Sequence, residues 1–272
     1  MDRTTDPDPD PAPTASRRAR VAGVYDYYLG GDLNDDVDRE FALRMMASVP
    51  EAPEVARLNR AFLARAVRHC ARAGIRRYLD IGSAIPRVGT VHEIARAVVP
   101  DARVVYVDIE QEAVAHGRAL LDGTPGVAMI EGDLRRPDDL LARPEVRRLL
   151  DPGEPVALLL LGVLHYVSDA DGPGALVTRY REAVAPGSIL VVSHGTDDGA
   201  PQPVRSMVDI TEEGQTTAYM RTRAEVTAFF AGFNLLDPGV VFLPRWRPEP
   251  GDEPGSPRAA VMAYGGVGHR AT

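Results

Sequence analysis

The chain has 272 residues, 44% of them hydrophobic, which suits one large domain or a domain with an extension. Its formal net charge of -8 leaves no global basic footprint for nucleic acid. The sequence contains no lysine, which excludes a Schiff-base lysine, a pyridoxal phosphate anchor and a P-loop.

The first 16 residues, "MDRTTDPDPDPAPTAS", are acidic and proline-rich and are expected to be a disordered tail. They hold no apolar core of a signal peptide, and the lone Cys70 can form no internal disulfide, so a cytoplasmic protein is expected. Residues 17–75 form a helical extension on this reading. "DREFALRMMASVP" and "EVARLNRAFLARAVRHCARAG" carry apolar residues at helical spacing, and Gly74 suits the C-cap of the second. Before them lies "VYDYYLGGDLNDD", too rich in turn formers for a long helix.

From Arg76 the rhythm changes, and residues 76–272 read as one α/β domain. "RRYLDIG", "ARVVYVDIE", "VAMIEGDL", "PVALLLLGVLHYV" and "GSILVVSHG" read as strands separated by helices, "PDDLLARPEVRRLL" being one helical stretch. Strands this apolar, alternating with helices, predict a parallel sheet covered on both faces. After a polar stretch and the helix "TRAEVTAFFAGF" come two last strands, "GVVFLPRW" and "RAAVMAYGG", expected to close the sheet as an antiparallel hairpin. The fold class is therefore α/β: a Rossmann-like, seven-stranded, mostly parallel sheet with that hairpin and the N-terminal extension. The apolar run Val156–Leu164 is too short to span a bilayer, which needs roughly 20 residues, and no membrane association is expected.

Ligands of open parallel sheets sit at the carboxyl ends of the strands. The first strand ends in Asp80, Gly82 and Ser83. The second ends in Asp108 and Ile109, the third in Gly132, Asp133 and Leu134, and the fourth in Gly162, Leu164, His165 and Tyr166. An acid closing the second strand can accept from both ribose hydroxyls. Asp133 can accept from an exocyclic amine, and Ile109 and Leu134 can sandwich a base. The turn after the first strand keeps Gly82 but lacks the remaining glycines of G-x-G-x-x-G, so its backbone cannot embrace a pyrophosphate. A nucleoside with a charged tail and no phosphate fits better, and S-adenosylmethionine is such a molecule. Each residue also has a plainer reading: Gly82 as a tight turn, Asp80 and Asp108 as helix caps, Asp133 as turn chemistry, His165 as a half-buried histidine. Their coincidence at successive strand ends favours the ligand site.

"VYDYYLGGDLNDDVDRE", "ARLNRAFLARAVRHCARAGIRRYLDIGSAIP", "VVYVDIE", "LLGVLHYV", "RTRAEVTAFFAGFNLLDPGVV" and "YGGVG" together resemble the bacterial S-adenosyl methyltransferase family once catalogued as a domain of unknown function. The resemblance runs from about Val21 to Gly268. It implies a class I fold and S-adenosylmethionine as cofactor, and it names no methyl acceptor. Members commonly read "LDIGTGLPT" where this chain reads "LDIGSAIPR", so Ala84 stands at a glycine position.

The N-terminal stretch can fold over the open cofactor edge as a lid. Its candidates are Tyr25, Asp26, Tyr28, Gly30, Gly31 and Asn34. Aromatic faces attract a sulfonium, and Asp26 can receive an ammonium. On the following helix, Asn59 and Arg60 are candidates, Arg60 as a partner for the cofactor carboxylate or as a solvent-facing residue. His165 is the best candidate for a general base, with Tyr166 and His194 behind it. His92 has no His or Cys at i±4, and no metal site is expected. The leading function is methyl transfer to a small molecule, with no nucleic acid partner expected. The alternatives are a non-catalytic nucleoside sensor and a nicotinamide-dependent oxidoreductase.

Overall fold

The computed structural model describes residues 18–87, 89–150, 153–199 and 217–271, so the expected N-terminal tail lies outside the described residues. Three helices come first: α1 (Val21–Tyr28), α2 (Asp36–Ser48) and α3 (Ala52–Arg72). Then β1 (Arg77–Ile81), α4 (Val91–Arg96), β2 (Arg103–Asp108), α5 (Gln111–Leu121) and β3 (Val127–Glu131) alternate. The expected single helix after β3 is two, α6 (Pro137–Leu141) and α7 (Pro144–Leu149), because Pro144 cannot continue α6 and starts α7 instead. They are followed by β4 (Ala157–Leu161), α8 (Pro173–Ala183), β5 (Ile189–Gly195), α9 (Arg223–Ala228), β6 (Asn234–Leu235), β7 (Val241–Phe242) and β8 (Ala263–His269).

The sheet runs in the order β3-β2-β1-β4-β5-β8-β6. The five strands β1 to β5 are parallel, and β8 lies antiparallel to β5. The order of strand addition reverses between β1 and β4, with β2 and β3 on one side and β5 on the other, and ligands of such sheets bind in the crevice at that switch point. Seven strands make the continuous path; the two-residue β7 also pairs with β8, antiparallel. The expected closing hairpin is thus real but unequal: one arm is two residues, and the other, β8, is inserted between β5 and β6.

Every residue of β1 and of β4 is buried, as the unbroken apolar runs require. Two hydrophobic clusters cover the two faces. One holds α3, through Leu58, Phe62 and Val67, against Tyr78, Tyr106 and Val191 of the sheet. The other holds α8, through Val177 and Tyr180, against Leu79, Leu158 and Val192. Helix α3 ends in a Schellman motif: Ile75 N–H donates to Cys70 O and Gly74 N–H to Ala71 O, both at 3.0 Å, with Gly74 at φ +88°. The buried Arg65 fastens α3 to the C-terminal segment. It donates to Trp246 O at 2.9 Å, to Leu243 O at 2.7 Å and to Asp252 at 2.9 Å.

Candidate active site

A cavity of about 710 Å³ lies at the carboxyl ends of the parallel strands. Its floor begins where β1 ends. Asp80 is only 4% exposed and lines the cavity, and its carboxylate receives no hydrogen bond from a described residue. Burial pushes its carboxyl up to about 7; the Arg60 guanidinium opposes that shift and Asp108 adds to it. Gly82 follows at φ +74°, and a Cβ there would come within 2.3 Å of Val163 Cγ2, so neither the backbone nor the space admits another residue. Ala84 also has positive φ, +54°, a conformation that costs an L-residue about 1–2 kcal/mol.

Asp108 explains why the chain makes that turn. Its carboxylate accepts from Ala84 N at 2.9 Å and from Glu110 N at 3.0 Å, which pins the β1 turn to the end of β2. Burial raises its pKa despite these donors. Glu110, which the sequence reading did not single out, lines the cavity and accepts from the first two N–H groups of α1, Val21 at 2.7 Å and Ala22 at 3.1 Å. Those are N–H groups a helix cannot satisfy internally, so Glu110 supplies the cap that Arg20 does not. Burial and the nearby Asp108 push Glu110 up to about 7. No local signal marks this link, because it joins residues almost ninety apart.

At the ends of β2, β3 and β4 the expectations divide. Ile109, Asp133, Leu134, Gly162 and His165 line the cavity. The Asp133 carboxylate is already held by Arg135, whose Nε donates at 3.0 Å and Nη2 at 2.8 Å, and this engagement keeps its pKa low. Leu164 does not line the cavity; it is fully buried in the core beneath. The fourth strand stops at Leu161, and residues 164–166 form a 3-10 turn, because Gly162 at φ +67° turns the chain out of the sheet.

The N-terminal stretch divides too. Tyr25, Tyr28, Asn59, Arg60 and Ser83 line the cavity, whereas Gly30 does not. Tyr25 Oη donates to Ala56 O and accepts from Asn59 Nδ2, each at 3.2 Å, and Asn59 Oδ1 accepts from Ser193 Oγ at 2.6 Å. Arg60 donates to Gly89 O at 2.6 Å. Asp26 is no ammonium receptor in this arrangement. It does not line the cavity, and its carboxylate accepts from Leu33 N and Asn34 Nδ2, both at 2.8 Å. Gly31 is needed there, since its Cβ would fall 2.1 Å from Asp26 Oδ1. Asp26, Gly31 and Asn34 therefore shape the turn after α1.

On the far side, the His165 ring packs 4.2 Å from Tyr166 and 5.7 Å from His194, centroid to centroid. Its Nδ1 is buried with no hydrogen-bond partner among the described residues. Burial, with the neighbouring His194 and Arg221, drops His165 to about 3. His194 Nδ1 lies 2.7 Å from Gly195 O and its Nε2 lies 2.9 Å from Arg221 Nη1. Arginine keeps its protons, so Nε2 accepts and Nδ1 carries the hydrogen. The buried Arg221 also donates to Leu164 O at 3.0 Å, to Val167 O at 2.8 Å and to Asp169 at 2.7 Å, so it brackets the turn that carries His165. Among the described residues no cluster of three His, Cys, Asp or Glu could hold a metal ion. No helix among them is long and apolar enough to cross a membrane.

A sheet of this order, with a glycine turn after β1 and an acid closing β2 beside a cavity at the strand ends, defines the class I S-adenosylmethionine-dependent methyltransferases. Within that class the chain belongs to the S-adenosyl methyltransferase family whose model matches residues 9–271. It is similar to a protein of Thermobifida fusca YX solved as a candidate methyltransferase, at 40% identity over 94% of this chain and 96% of that one, with a TM-score of 0.88. It is also similar to a DUF574 family protein of Streptomyces avermitilis MA-4680, at 36% identity over 93% of this chain and 98% of that one, with a TM-score of 0.87. None of the curated proteins matches the chain.

Proposed function

We propose that this methyltransferase binds S-adenosylmethionine in the cavity at the strand ends and passes its methyl group to a small molecule enclosed beside it. The observation that carries the reading is Asp80: a carboxylate 4% exposed, in the cavity wall, with no donor of its own. A buried acid left so is costly unless a cationic donor meets it, and the cofactor's ammonium is such a donor. Arg60, whose charge Asp80 senses, would take the cofactor carboxylate. Gly82 and Ser83 would let the backbone approach, Asp108 would take the ribose hydroxyls, and Ile109 and Leu134 would flank the base, with Asp133 shared between the base and Arg135. Tyr25, Tyr28 and Asn59 would close the site from the lid side, and Gly162 and His165 would face the reacting centre. The volume of about 710 Å³ falls within the usual range for small-molecule sites, about 300–1,000 Å³.

When bound, the cofactor supplies a methyl carbon already activated by a positive sulfur. What the protein must add is alignment and exclusion of water, together worth roughly 7–11 kcal/mol in favourable cases. In support, helix α1 covers the cavity and is latched to it by Glu110.

The test uses Asp80→Asn and two ligands, S-adenosylhomocysteine and methylthioadenosine, which lacks the amino-acid part. The substitution is expected to weaken S-adenosylhomocysteine by at least about tenfold and to leave methylthioadenosine within about twofold. Equal losses for both ligands would remove Asp80 from the ammonium site.

A further inference from the structure

The walls of the cavity are segregated by charge. Arg20, Arg60, Asp80, Asp108, Glu110, Asp133 and Arg135 come from the N-cap of α1, from α3 and from the ends of β1 to β3. Across the sheet, the walls from α2, the start of α3 and the β5–β8 edge are neutral: Phe41, Met45, Val49, Val55, Met220 and Met262. Met45, Val49 and Met262 are buried there, and the remaining acid of the lining, Asp171, is exposed and interacts with Arg135 of the charged half. The His165 imidazole lines this end with its Nδ1 unpartnered among the described residues, as is Tyr28 Oη on the lid side.

We infer that the methyl acceptor is a neutral, largely apolar molecule that presents a hydroxyl group to His165 in this half of the cavity. The inference rests on the cofactor site proposed above. A carboxylate acceptor would have to shed its water into a chamber whose lining offers no cation, a cost of several kcal/mol or more. An amine is protonated near neutral pH, and behind the chamber the Arg221 guanidinium, bonded to His194, is a buried cation whose charge His165 senses. Like charge in a low-dielectric site would repel it. A neutral hydroxyl carries neither cost. Thioethers and aromatic faces suit a ring, since sulfur–aromatic contacts are favourable.

The chemistry balances. The acceptor oxygen forms a new C–O bond to the methyl carbon as the C–S bond breaks and its electron pair remains on sulfur. The hydroxyl proton passes to a ring nitrogen of His165 and then to solvent. His165 is neutral at rest because burial holds it near about 3, so a ring lone pair is available. A base this weak suffices because the oxygen becomes strongly acidic once its third bond forms.

The experiment is calorimetric titration of the protein saturated with S-adenosylhomocysteine, using three molecules of one shape: 2-naphthol, 2-naphthoate and 2-naphthylmethylamine. The neutral naphthol is expected to bind at least about tenfold more tightly than either charged analogue. Phe41→Glu and Met220→Glu should each weaken it by about tenfold while S-adenosylhomocysteine affinity stays within about twofold, which also reports that the variants fold. With S-adenosylmethionine, naphthol should yield its methyl ether, and His165→Gln should slow that by about 100-fold or more at saturating naphthol. Equal or tighter binding of the naphthoate or the amine, or no naphthol binding by a protein that does bind S-adenosylhomocysteine, would overturn the acceptor assignment and leave the cofactor site standing. Failure of S-adenosylhomocysteine itself to bind would overturn both.

Discussion

Ala84 occupies a left-handed backbone position, φ +54°, while its N–H serves Asp108. Glycine adopts that conformation without cost, so Ala84→Gly is expected to raise stability by about 1 kcal/mol, or about 2–4 °C in the unfolding midpoint of a chain this size. Thermal denaturation checks this; an unchanged or lower midpoint would mean that the Ala84 methyl group makes compensating contacts. Asp80 gives a pH dependence with a definite sign. Its carboxyl titrates near 3.8 when unfolded and about 7 when folded. Across that interval the unfolded chain releases a proton that the folded chain keeps, so stability falls as pH rises, and the loss is complete above pH 7. Glu110, raised to about 7 by burial and Asp108, acts in the same direction. His165 and His194, which burial lowers to about 3 and about 4, act in the opposite sense over part of this interval, so the test is the difference between two proteins: from pH 5.5 to pH 8 the melting point of Asp80→Asn should change in the positive direction relative to that of the unsubstituted apo protein. A pH dependence left unchanged by Asp80→Asn would contradict the burial argument.

At the scale of elements, two links hold the site's walls in place, and neither is visible in the sequence. Arg221, just before α9, brackets the turn 164–167 and fixes the tautomer of His194. Replacing it with methionine would strip the Val167 carbonyl and His194 Nε2 of their donor and leave Leu164 O with the Val167 N–H alone, and a destabilisation of about 3 kcal/mol is expected. A double-mutant cycle with His194→Phe should return a coupling above about 0.5 kcal/mol; strict additivity would mean that the bond does not matter. Glu110 caps α1 from across the cavity mouth. Glu110→Ala should speed hydrogen exchange at residues 21–28 while leaving β1 and β4 protected, because α1 would lose its tie to β2. Equal protection in both proteins would show that α1 is held by other contacts.

Local pattern carried most of the sheet. The apolar runs ending at Asp80, Asp108 and Leu161 are strands because only residues buried on both faces repeat without alternation. The strand-end residues Asp80, Gly82, Asp108, Asp133 and His165 could be found the same way, since topology alone sends strand ends to one crevice. What local pattern could not carry was pairing at a distance. Asp26 looked like a free acid in a loop, yet its partners Leu33 and Asn34 consume it. Leu164 looked like a strand end, yet the Gly162 turn drops it into the core. The sequence did not single out Phe41, Met45, Met220 and Met262, because nothing local reveals that α2 and the β5–β8 edge face one cavity.

At the scale of the whole molecule, the first cluster joins α3 to the face of the sheet, with Phe62 edge-on to Trp246 at 5.5 Å and Arg65 bonded to the carbonyls of residues 243 and 246. The helices before β1 and the segment between β7 and β8 thus enclose one side of the cavity together. The central claim is that this cavity is an S-adenosylmethionine site whose ribose end is Asp108. The most direct measurement is calorimetric titration of the protein and of Asp108→Asn with S-adenosylmethionine, S-adenosylhomocysteine and NAD(H). The account predicts one adenosyl ligand bound per chain, no NAD(H) binding, and at least about a tenfold loss of adenosyl affinity in the variant. Adenosyl binding that is indifferent to Asp108, or binding of NAD(H) in place of the adenosyl ligands, would contradict it.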